Sequence, residues 1–248
     1  MKPYNREYIL EKNEEYLNII DENKINEFKI EISDKVKFVN GYMYDNAIGI
    51  EMEYISLKKN DKELMKLSPM EIQSSYNFIK FAKGRVGIVG LGLGYVVQEL
   101  LKKEEVEEIV VYEIEKDIIY LYINNFGLDK RVKFINKNAF EAKSEKFDFF
   151  YVDFYYYKLD KIVTEDYKRF KKLHDIKNYM FWGMEHFLLS CRYEEIVWVY
   201  IPELWMESSK ETFAALQENY LLKNYKQLDE NLVRDILAEF KVIFDEEE

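Results

Sequence analysis

Val86-Gly87-Ile88-Val89-Gly90-Leu91-Gly92-Leu93-Gly94 is the stretch from which the rest of the chain is read. A short apolar run ends in glycines at alternate positions, and residues 95–103 then carry helical spacing. Strand, glycine turn and helix start in succession mark a sharp corner. Glycine lets the backbone turn there and leaves no Cβ between the main chain and a ligand. The helix that follows offers free N–H groups, which favour a carboxylate or phosphate.

Outward from this corner the pattern repeats. Residues 85–89, 108–112, 132–135 and 147–152 read as strands, with helical segments at 95–103 and 116–126 between them. Strands alternating with helices imply a parallel sheet joined by right-handed crossovers. Upstream, residues 1 to about 30 space apolar residues as a helix does. Residues 29–32, 36–39 and 48–55 alternate with period two around the turn-prone Tyr44-Asp45-Asn46, which predicts a small antiparallel β unit. Ser68-Pro69 opens a helix running through Ile72, Tyr76, Ile79 and Phe81, with Glu71 three residues after the cap. Downstream, helices are expected at 164–174, 176–191 and 210–240, and a strand at 196–201 stopped by Pro202. The expected division is 1–67, helix plus β unit, and 68–248, an α/β domain with a helical C-terminal extension.

Ligands of open parallel sheets bind outside the carboxyl ends of the strands. Gly90, Gly92 and Gly94 follow the first strand, and Glu113 then Glu115 the second. Asn138, Ala139 and Phe140 follow the third, and Asp153 the fourth. Glu113 lies 21 residues after Gly92, where a carboxylate meets a ribose diol. Asn138 offers a donor and an acceptor together, which suits the edge of an adenine. The glycine spacing is G-x-G-x-G. A dinucleotide loop wants G-x-G-x-x-G/A, and Tyr95 or Val97 would fill its third position, so NAD is disfavoured.

In this form Val86–Gly94 resembles motif I of class I S-adenosylmethionine-dependent methyltransferases. Val110-Val111-Tyr112-Glu113-Ile114-Glu115 resembles their acidic second motif, and Asn138-Ala139-Phe140 the stretch beside adenine. Phe147-Asp148-Phe149-Phe150-Tyr151-Val152-Asp153 is similar to their fourth strand with its terminal acid. The resemblance spans residues 84–154 and is closest to the spermidine-synthase-like branch, which shares an apolar residue at Ile88 and a β unit ahead of the fold. It implies a Rossmann-like, doubly wound, mostly parallel sheet with helices on both faces. It implies S-adenosylmethionine as cofactor, held by Gly90, Leu91, Gly92, Gly94, Glu113, Ile114, Asn138 and Ala139. Asp153 would then face the acceptor as the catalytic residue, and Gln73 would reach the cofactor's tail.

Departures accompany the likeness. Polyamine synthases carry an aspartate where this loop has Leu93, and a Ser/Asp/Pro-rich loop where this chain has Phe154-Tyr155-Tyr156-Tyr157-Lys158. Asp153-Phe154-Tyr155-Tyr156 occupies the place of the Asn/Asp-Pro-Pro-Tyr signature of amino-methylating enzymes. Methyl transfer to an unidentified small molecule or protein is the leading expectation. A non-catalytic binding or assembly protein of this fold and an aminopropyl transferase stand as alternatives.

Composition narrows the partners. A net charge of −11 weighs against nucleic acid, and Lys168, Arg169, Lys171 and Lys172 read as a solvated helix face. Asp245-Glu246-Glu247-Glu248 reads as a frayed acidic tail. No apolar run is long enough for a membrane span and no signal segment is evident, so a cytoplasmic protein is expected, with a homo-oligomer left open. Cys191 is alone, and His174 and His186 have no metal-site spacing, so no metal is expected. The 21 tyrosines and 17 phenylalanines include Tyr151, Phe154, Tyr155, Tyr156 and Tyr157, an aromatic wall for the site or packing under a lid.

Overall fold

Two sheets and the helices around them build the molecule, and the computed structural model describes residues 2–47 and 49–247. The Asn5 side chain accepts the Tyr8 N–H at 3.1 Å and so caps α1 (Arg6–Leu17). β1 (Asn23–Ile25), β2 (Phe28–Phe38), β3 (Ile50–Lys59) and β4 (Lys62–Lys66) pair antiparallel in that order. The runs read as separate strands at 29–32 and 36–39 are one strand, β2, and a register shift between Ser33 and Val36 absorbs the interruption. The strand expected from residue 48 is β3, starting at Ile50. Ile48 lies outside the described residues, as do Met1 and the last residue of the acidic tail, Glu248. Of the stretch to about residue 30 that is spaced as a helix, only α1 is helical, and β1 and the start of β2 are strands; β4 is likewise not expected from the sequence. It follows Asn60 and Asp61, at φ 48° and 64°, the left-handed pair that closes a tight hairpin.

α2 (Pro69–Phe81) starts as its sequence predicts, with the Ser68 hydroxyl accepting the Glu71 N–H at 3.5 Å and proline in the first turn. Then come β5 (Gly84–Val89), α3 (Tyr95–Leu101), β6 (Val106–Glu113), α4 (Lys116–Phe126), β7 (Val132–Asn136) and β8 (Lys146–Val152). After β8 the chain forms α5 (Ile162–Leu173), β9 (Asp175–Phe181), α6 (Met184–Ser190), α7 (Tyr193–Val199), α8 (Glu203–Glu218) and α9 (Glu230–Glu247). The second sheet is wholly parallel, ordered β7-β6-β5-β8-β9, and helices flank it. Strand order reverses at β5, so the crevice beyond Val89 is the topological switch point. Val86, Ile109, Val110, Val111, Phe150 and Val152 are fully buried in the central strands, as both-face coverage demands.

Three downstream expectations are corrected. Residues 176–181 belong to strand β9, paired with β8, and only α6 from the expected 176–191 helix is helical. Ile176, Tyr179 and Met180 satisfy helical spacing, but the same residues suit a strand buried against β8. Gly183, at φ 90°, makes the break. The strand expected at 196–201 is helix α7. Its Ile196 and Val199 are buried one helical turn apart while Val197 and Trp198 face out. The expected 210–240 helix is two, α8 and α9, separated by residues 219–229. Among the described residues no helix is long and apolar enough to cross a membrane.

Candidate functional site

Four strand ends meet around a cavity of about 440 Å³ beyond β5. It lies within the range of small-molecule pockets. The cavity wall includes Gly90, Leu91, Gly92, Glu113, Ile114, Asn138, Ala139 and Asp153, so the structure gathers all the predicted site residues except Gly94 and Gln73. Gly94 caps α3 at φ 81°, and a Cβ there would lie 2.3 Å from the Tyr122 ring. It packs against Tyr122 and does not line the cavity. Gln73 turns away, its Oε1 accepting the Tyr42 N–H at 2.9 Å and its Nε2 donating to the Tyr44 hydroxyl at 3.2 Å. It pins the 41–44 loop instead of reaching a cofactor.

Backbone hydrogen bonds fix the loop. The Gly90 N–H donates to the Tyr112 carbonyl at 3.0 Å, and the Asp153 N–H to the Val89 carbonyl at 3.0 Å. A Cβ on Gly90, at φ 98°, would stand 2.5 Å from the Asp153 carbonyl, so only glycine permits this approach. Glu113 is buried, and its carboxylate accepts N–H groups from Leu91 at 3.0 Å and Glu115 at 2.9 Å. Burial raises its pKa, and the backbone donors oppose that rise. The acid thus braces the glycine loop while facing the cavity. Asn138 is exposed on the wall and its Oδ1 accepts the Phe140 N–H at 3.1 Å, capping a short 3-10 turn.

The antiparallel sheet supplies the facing wall through Phe28, Leu57, Lys59, Leu64 and Met65. Lys59 bridges to Glu115 at 2.7 Å across the mouth. Met65 meets the glycine loop, its Sδ accepting the Leu93 N–H at 3.0 Å. A Cβ on Gly92 would lie 2.1 Å from that sulfur, so the thioether sits in the notch the glycine leaves.

At the other end, Glu71 and Asp153 share the cavity wall. The Tyr157 hydroxyl donates to Glu71 Oε2 at 2.8 Å. Burial lifts the Glu71 pKa to about 7, and burial followed by repulsion from Glu71 lifts that of Asp153. Of the expected aromatic wall, Tyr151, Phe154, Tyr156 and Tyr157 line the cavity, whereas Tyr155 turns to Asp166 at 3.1 Å. Tyr156 and Tyr157 both hold positive φ, 48° and 58°, a conformation costly for aromatic side chains. Glu71 and Met65 were missed by sequence reasoning. Glu71 was accounted for as a capping residue, and Met65 sits on the unforeseen β4; the Asn60-Asp61 turn signal would have found it.

Residues 51–138, less than half of the chain, match the family described as glycosyltransferase Maf N-terminal domain. No curated protein matches. Spermidine synthase from Thermotoga maritima is 16% identical, with a TM-score of 0.39 over 63% of this chain and 52% of its own. The chain therefore spans about half the length of that structure. A ribosomal protein L11 methylase from Lactobacillus delbrueckii subsp. bulgaricus is 15% identical, with a TM-score of 0.37 over 60% of this chain and 67% of its own. The N-methyltransferase NodS from Bradyrhizobium japonicum WM9, in complex with S-adenosyl-L-homocysteine, is 14% identical, with a TM-score of 0.32 over 41% of this chain and 51% of its own. A spermidine synthase and two methyltransferases are among the solved structures to which this chain is similar.

Proposed function

We propose that the cavity binds S-adenosylmethionine and that the protein transfers its methyl group to an acceptor. The observation carrying this reading is Glu113: a buried carboxylate at the end of β6, hydrogen-bonded to the glycine loop at the end of β5, on the wall of a ligand-sized cavity. Residues present there fit an adenosyl group. Glu113 would receive the ribose hydroxyls, Ile114 would pack on the base, and Asn138 and Ala139 would border its edge. The cofactor, when bound, supplies a methyl on a positively charged sulfur. The chain's part is to hold the acceptor in line and to take its proton. Asp153, beside the loop, would be the group that holds that proton.

Calorimetric titration of the full chain with S-adenosylmethionine and S-adenosylhomocysteine tests the reading. Micromolar binding is expected, weakened at least about tenfold in Gly92→Arg, whose Cβ displaces Met65, and in Glu113→Ala. Wild-type affinity in both variants sinks it. The contact between Met65 and the loop favours a second reading, a non-catalytic descendant whose own side chain occupies the notch. That reading expects no adenosyl binding, with or without Met65.

A further inference from the structure

Behind the cavity lies another buried acid, Glu185, in the first turn of α6. The Ser208 hydroxyl on α8 donates to its Oε1 at 2.7 Å, and the Tyr42 hydroxyl to its Oε2 at 3.1 Å. Tyr4, Tyr151 and Asn77 on α2 also face it. His186, next on α6, donates to the Lys226 carbonyl instead, at 2.6 Å. Among the described residues Glu185 has no Lys, Arg or His partner within 4.0 Å, so burial favours its protonated form.

Two orphaned polar atoms connect this acid with the cavity. The Tyr151 hydroxyl, on the cavity wall, is buried with no hydrogen-bond partner. It lies within electrostatic reach of Asp153 and Glu71, and equally of Glu185 and Tyr42. Its ring is fixed, stacked on Phe78 at 4.3 Å and 11°. The Trp182 indole N–H is orphaned in the same way. That ring packs 5.8 Å from Tyr157, which bonds Glu71, and 6.0 Å from Tyr42, which bonds Glu185. Buried polar atoms without protein partners are where interior water is held.

We propose that the Tyr151 hydroxyl and the Trp182 indole N–H hold an internal water that joins the cavity to Tyr42 and Glu185, making Glu185 a proton store for the cavity. A proton arriving on the Tyr151 oxygen sends that hydroxyl's own proton to the water. The water passes one to Tyr42, whose hydroxyl proton moves to the Glu185 carboxylate. One proton enters, one is bound, and no hydroxyl keeps a charge. Tyr42 can take part because its oxygen accepts only the His186 N–H, at 3.4 Å, and has a lone pair left. The relay stands without the adenosyl reading; under that reading, the store would receive the proton that leaves the acceptor.

Infrared spectroscopy of the full chain mixed into D2O tests the relay, at the lowest pH where each variant still melts cooperatively. The protonated carboxyl band that Glu185→Gln removes belongs to Glu185, and its downward shift times the exchange of that proton. In the wild type the shift is expected to be complete on mixing. Tyr151→Phe and Trp182→Phe should each slow it at least about tenfold. Tyr4→Phe, on the wall of a separate cavity of about 140 Å³, should leave it unchanged. Wild-type exchange in either of the first two variants, slowing in Tyr4→Phe alone, or the absence of a Glu185 band overturns the proposal. Melting gives a second readout. A hydroxyl that binds water stabilises the fold, so Tyr151→Phe should melt below the wild type. A higher melting temperature would mean that the hydroxyl stands unpaired and that no water is held.

Discussion

Single residues carry most of the site's chemistry, and Glu71 carries the clearest pH signature. The groups around it are Tyr157, Asp153, Tyr151 and Tyr95, none of them cationic. Its pKa is about 7 in the folded chain against 4.5 when free. Between those values the unfolded chain has released a proton that the folded chain still holds, so stability falls as pH rises through that window. Above about 7 the loss is complete. Glu71→Gln removes the titration. Thermal melts are therefore expected to show the variant gaining about 7 °C or more over the wild type at pH 8, and no gain at pH 4.5. An equal offset at both pH values would mean that Glu71 does not titrate in this way. At this scale Gly90, Gly92, Glu113 and Asp153 were legible because each follows an apolar strand in sequence. Glu71 was not, because its backbone fits the first turn of α2 and nothing local reveals that its carboxylate leaves the helix for Tyr157.

Elements were legible where length and periodicity agree. Helix α4 spans Lys116–Phe126 as read, ending at Gly127, whereas α7 was misread because a run of β-branched and aromatic residues mimics a strand. What decides α7 is its start and burial. The Glu195 carboxylate accepts the Arg192 N–H at 3.2 Å, and Ile196 and Val199 face inward. β9 shows the converse error, an edge strand whose pairing with β8 no local pattern announces. It is held from outside by the last helices. The Trp205 indole N–H on α8 donates to the Tyr179 carbonyl at 2.6 Å, and its ring packs edge-on against Phe181 and Phe240 at 5.4 and 5.2 Å. Trp205→Ala empties that junction of β9, α8 and α9. Denaturant unfolding is expected to show a loss of about 3–5 kcal/mol. A loss below about 1 kcal/mol would mean that α8 contributes little to the sheet's stability.

Across the whole molecule, the sequence announced the parallel sheet through four strand–turn corners but not the closing of its crevice by the antiparallel sheet. Sequence distance hides that relation: Met65 and Leu93 belong to different sheets, and only the β3–β4 hairpin brings the sulfur to the loop. The contact has a kinetic meaning. A ligand that takes the Leu93 N–H finds it already engaged, so arrival and seating are separate events with the thioether's departure between them. In rapid-mixing experiments the observed association rate should therefore level off as ligand concentration rises, the plateau being the rate at which Met65 leaves. Met65→Ala should turn that curve into a straight line through the same concentrations, whereas a straight line already in the wild type would mean that the sulfur never stands in the way. The molecule then keeps time at its own doorway, by a clock set in the first sheet and read in the second.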